Sequence, residues 1–169
     1  MPLHPRPRAW DDIGMKPIVL LMSIGLLGWW YVVVPLQVIV AAVALAHGRR
    51  RLAVFSLAAL AMAVVTVRAA RAAVDWHPEG FGQVGVVLPS GHSALVVVAV
   101  TTLAALVWPR WTRARVTVAA ALILAVGAVM TVGGHTVGDV VVGLALGGIS
   151  VLVAGTVARF RWPRRASAV

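Results

Sequence analysis

The sequence predicts an all-α, polytopic membrane helical bundle of five or six transmembrane helices. Of its 169 residues 61% are hydrophobic, the mean hydropathy is +0.96, and only 12% are charged, about half the ~25% usual in soluble domains. Apolar runs long enough to cross a bilayer alternate with short connections. At ~20 residues per span the chain forms one integral domain, residues 1–169, with no separate soluble domain.

The first apolar run, Pro17 to Ala46, holds 30 residues where one span needs ~20. Trp29, Trp30 and Tyr31 in its middle read as an interfacial aromatic belt, and Pro35 as a kink. This pattern predicts an apolar helix from Pro17 to Leu27 lying in the outer leaflet, then a true span from about Gly28 to Ala46. Five spans and an external N-terminus follow. Arg6, Arg8 and Lys16 favour the other solution, a tight hairpin within the first run and six spans. The run is too long for a signal-peptide core of ~7 to 15 residues. The later spans read as Leu52 to Val74, Ser93 to Trp108, Val116 to Val132 and Val137 to Ala158. In the last of them Gly143-x3-Gly147, with Gly148 beside it, reads as a packing seam for a neighbouring helix.

Arginine marks alternate connections: Arg49 to Arg51, then Arg110, Arg113 and Arg115, then Arg159, Arg161, Arg164 and Arg165. By the positive-inside rule these ends are cytoplasmic and the connections between them external. Membrane orientation, rather than a nucleic-acid partner, therefore accounts for the net charge of +10. The absence of cysteine excludes disulfides and thiolate chemistry. Heavy use of Arg, Ala and Val fits a GC-rich bacterial genome, hence a bacterial inner membrane.

Two motifs fall at external span edges: Pro89-Ser90-Gly91-His92 and, 43 residues after His92, His135-x3-Asp139. Pro89 disfavours helix before it and Ser90 is a good cap, so a helix should begin here with unpaired N–H groups suited to an anion. His92 in its first turn can donate a proton to a leaving oxygen. The alternative is a plain cap with an incidental histidine. Asp139, four residues after His135, can share its helix face and fix the imidazole tautomer, leaving the other nitrogen free to attack. The alternative is an interfacial pair that closes a helix end. As a metal site His92, His135 and Asp139 lack a clear fourth ligand, and no metal or organic cofactor is expected.

These residues resemble the type 2 phosphatidic acid phosphatase superfamily, whose motifs are K-x6-R-P, P-S-G-H and S-R-x5-H-x3-D. The resemblance covers a core of about residues 52–158. The second motif is complete, and the third keeps His135 and Asp139. The resemblance implies His135 as nucleophile, Asp139 as its orienter, His92 as general acid, and Ser90 with the Gly91 amide as phosphate ligands. The chain departs from the family at every cationic clamp: Val129 and Ala128 replace the arginine and serine of the third motif, and His77 and Ala70 the arginine and lysine of the first. Two uncompensated losses of this kind would remove roughly 10⁴- to 10⁶-fold in rate.

Substitutes are available in Arg71 and Arg68, in the outer half of the second span, and in His77 when protonated. Their structural alternatives are an Arg71–Asp75 pair and an Arg68 that snorkels to the headgroups; Asp75, Trp76 and Glu79 read as surface residues. The expected function is a membrane lipid phosphatase that hydrolyses a lipid phosphate or polyprenyl (di)phosphate at the external face of the cell membrane, through a phosphohistidine intermediate. The alternative is a catalytically inactive relative that binds lipid phosphate or serves as a structural subunit. Its expected partners are a lipid phosphate substrate and membrane lipids, with partner membrane subunits or a homo-oligomer also open. So few spans leave little room for an alternating-access transporter.

Overall fold

Five helices and no strands form the described residues, 29–76, 89–108, 112–132 and 135–159 of the computed structural model. They are α1 (Trp30–Ala46), α2 (Arg50–Trp76), α3 (Gly91–Val107), α4 (Arg113–Val132) and α5 (Val137–Val157). The expected helical bundle is thus observed. The ranges Arg50–Val74, Arg113–Thr131 and Val137–Val157 are long and apolar enough to cross a membrane, so the protein is membrane-spanning. α1 and α3 are shorter apolar helices of 17 residues, about 25 Å each. α1 begins two residues after the expected Gly28, and the segment from Pro17 to Leu27 lies outside the described residues.

α1 stops for a local reason. After α1, Gly48 adopts a left-handed φ of 68°, and the Gly48 and Arg49 N–H groups donate back to the Leu45 and Ala44 carbonyls at 2.9 and 2.7 Å. α2 starts at once, so α1 and α2 form a tight hairpin. Arg49 in this turn donates from its two terminal nitrogens to the Leu106 and Ala105 carbonyls at 2.7 and 2.6 Å. It thereby closes the C-terminal end of α3, where a cation is favoured.

Polar side chains pin the bundle inside its apolar mass. Gln37 on α1, Ser56 on α2 and Thr102 on α3 are fully buried. Gln37 donates to Thr102 at 3.0 Å and accepts from the Ser56 hydroxyl, which satisfies groups that would be costly alone in hydrocarbon. Thr66 and Ser150 join α2 to α5 at 3.1 Å.

The seam between α3 and α5 is a close one. A methyl group at Gly143 would overlap the Ser90 carbonyl oxygen, and one at Gly147 would lie 2.6 Å from the Ala94 carbonyl oxygen. Only glycine permits that approach. Gly148, by contrast, faces open space. α4 lies at the edge, resting Val126 and Met130 on Val96 and Val140, while Val116, Val118, Leu122 and Leu124 face outward.

Candidate active site

The glycine seam determines where the two motifs meet. With α3 and α5 in near contact, the Ser90 N–H donates to the Asp139 carbonyl at 3.0 Å, tying the start of one helix to the first turn of the other. Ser90 caps α3 by accepting from the Ser93 N–H at 3.3 Å. The Gly91 and His92 N–H groups, first in the helix, have no carbonyl one turn back within it.

The two histidines come together although 43 residues separate them. Their ring centroids are 5.7 Å apart, inclined at 60°. On another flank of His92 the Trp29 ring lies at 5.2 Å. His135 stands two residues before α5, held by its N–H to the Met130 carbonyl at 3.2 Å.

Asp139 is occupied differently from its expected role. Its carboxylate accepts from the Thr136 N–H at 3.0 Å, while its own N–H donates to the Thr136 hydroxyl at 3.1 Å. This is a capping box, closing the start of α5. No hydrogen bond joins Asp139 to His135 here. The alternative of a pair that closes a helix end thus describes Asp139 as observed, except that its partner is Thr136 rather than His135.

Both candidate arginines line a cleft that includes His92 but not His135 or Asp139. This cleft of about 520 Å³ opens between α1, α2 and α3, and Arg68, Arg71, Gly91 and His92 line its polar end. Arg71 bends toward the second motif, donating from Nε and a terminal nitrogen to the Pro89 carbonyl at 3.3 and 3.1 Å. That nitrogen would lie 3.9 Å from a methyl group placed on Gly91. Arg68 is exposed along the same face. Ser90, in contrast, is buried and absent from the cleft wall. His77 and Glu79 lie outside the described residues, as do the side chains of Asp75 and Trp76.

Sequence reasoning assigned Trp29 and Trp30 to the interface only, yet Trp29 packs on His92 and Trp30 lines the cleft. Their signal was depth: they begin α1 on the side where both motifs emerge. Among the described residues no three His, Asp or Glu side chains converge to hold a metal.

The arrangement places two imidazoles, a helix N-terminus and guanidinium groups at one end of a membrane bundle, a combination suited to a phosphate ester. No curated protein and no solved structure matches the chain. The model of the PAP2 superfamily matches residues 74–163, more than half of the chain and inclusive of both motifs. The chain therefore belongs to the PAP2 superfamily, a family of phosphatase type.

Proposed function

We propose that the protein is a membrane lipid phosphatase acting on a lipid phosphate or polyprenyl (di)phosphate at the external membrane face. The observation that carries this reading is the approach of the His92 and His135 rings, at 5.7 Å, beside an Arg71 drawn onto the Pro89 carbonyl. An imidazole nitrogen of His135 attacks phosphorus as the bond to the leaving oxygen breaks, and His92 gives that oxygen its proton. Water then attacks the phosphohistidine, phosphorus leaves nitrogen, and His92 recovers a proton from the water. Arg71 supplies the cationic contact that the family's own positions lack, with the Gly91 and His92 N–H groups as further donors.

This mechanism requires the Asp139 carboxylate, which accepts from the Thr136 N–H, to turn toward His135 when substrate binds. External orientation is supported by Arg49, which sits at the opposite end of α3 from His92. Purified protein in detergent should release phosphate from a polyprenyl or glycerolipid phosphate, and His135→Ala should abolish release. Equal silence of both proteins across a broad panel would leave the second reading, a non-catalytic lipid-phosphate binder. The observation favouring that second reading is the Asp139 carboxylate, which is engaged with Thr136 rather than with His135.

A further inference from the structure

Beyond its polar end the cleft is apolar. Trp30 and Val34 of α1, Ala63, Val64 and Val67 of α2 and Leu95 of α3 form its walls. Val34 and Val64 belong both to the cleft and to the exposed surface, at 37% and 44% exposure. Between them no described residue walls the cleft, which opens sideways there. Toward the opposite face it is closed, because α1 and α2 are joined at the fully buried Gln37 and Ser56, one turn beyond Val34 and about two turns beyond Ala63. The groove is therefore a wedge with cations at its mouth and a polar pin at its foot.

The geometry points to this groove as the seat of a single hydrocarbon chain, which makes the preferred substrate a phosphate or diphosphate monoester of one linear chain rather than a two-chain glycerolipid. This inference rests on the phosphatase reading for its headgroup. Charge complementarity identifies the occupant: Arg68, Arg71 and His92 take an anion at the mouth while the walls below take only apolar matter. Size limits it to one chain. From Arg71 to Ala63 the α2 wall runs eight residues, about 12 Å. A tetrahedral zigzag of ~1.5 Å bonds advances about 1.25 Å per carbon, so the groove measures about ten carbons. A dry cavity of ~150 Å³ holds one benzene, and the 520 Å³ here must also seat the headgroup. Among the described lining residues, those of α1 and α3 span about half that length, so a second chain of equal length has no such wall to follow.

The test uses linear alkylphosphonates of four to fourteen carbons, which cannot be hydrolysed, with binding measured by calorimetry on the intact wild-type protein. Affinity should rise by up to about fourfold per carbon as the chain lengthens to about ten carbons, then level off. Val34→Trp and Val64→Trp replace exposed wall residues, so the fold should tolerate them, and each should move the break to shorter chains by several carbons. Val118→Trp, on the outward face of α4, should leave the break unmoved. Affinity independent of chain length, a break at the same carbon in the groove variants, or tighter binding of a two-chain phosphonate would overturn the groove. Chain-length-dependent binding without phosphate release from any ester would uphold the groove while removing the phosphatase reading.

Discussion

Arg49 and Arg71 both donate to backbone carbonyls, at opposite ends of the bundle, and they do different work. Arg49 reaches the C-terminus of α3, where partial negative charge attracts a cation, and its two bonds are short at 2.7 and 2.6 Å. Arg71 reaches the Pro89 carbonyl just ahead of the N-terminus of the same helix, where a cation is electrostatically misplaced, and its bonds are longer at 3.3 and 3.1 Å. Arg49 is not among the residues that line the cleft, whereas Arg71 lines it with His92. A cation that closes a helix C-terminus is already satisfied by the fold, while one held beside that helix's N-terminus is complete only with an anion.

Asp139 stands between these two cases, and separating its roles should give the largest effect. Asp139→Asn keeps an acceptor for the Thr136 N–H but cannot orient an imidazole with charge. Activity should fall by up to about 10⁴-fold, with stability changed by less than about 1 kcal/mol. Thr136→Ala should do the reverse, costing about 1 kcal/mol of stability and leaving turnover per folded molecule nearly intact. Thermal unfolding measured with turnover distinguishes the two; parallel loss of both quantities in Asp139→Asn would make the residue a cap alone.

Arg71→Ala should lower kcat/KM by about 10²- to 10³-fold without a comparable change in melting temperature. Arg71→Lys should recover only part of the loss, because an ammonium lacks the guanidinium's fork. Arg49→Ala, the smallest effect on catalysis, should instead cost about 1–3 kcal/mol of stability by stripping two part-buried carbonyls of a charged donor. Its turnover per folded molecule should match wild type. If Arg49→Ala impairs turnover as severely as Arg71→Ala, the contrast between the two arginines is wrong.

Much of the architecture was legible, because span length is read directly from residue type. The last span was expected over Val137 to Ala158 and runs Val137–Val157; Ser90 caps α3 as expected. Which helix face packs was less legible. In a membrane the lipid-facing Val116, Val118, Leu122 and Leu124 are as apolar as the buried Val126 and Met130, so hydrophobicity no longer tells inside from outside. Small residues retain the signal, as Gly143 and Gly147 show. The lone Gln37 in an apolar run also carried one, since such a group needs partners, but periodicity could not name Ser56 and Thr102.

In the site, sequence spacing brought His92 and His135 to one membrane level, but not Trp29 onto His92 nor Arg71 onto Pro89. Those depend on how α1 and α2 lean against α3, which is set by contacts far along the chain.

Under the proposed mechanism His135 carries the phosphoryl group. Protein incubated with a lipid phosphate labelled at phosphorus, then quenched in alkali, should retain label in an acid-labile, alkali-stable linkage, the signature of a phosphoramidate. His92→Ala, which slows departure of the leaving group and attack by water, should retain some label, and His135→Ala none. Label retained in His135→Ala, or phosphate released by that variant at the wild-type rate, would contradict the account.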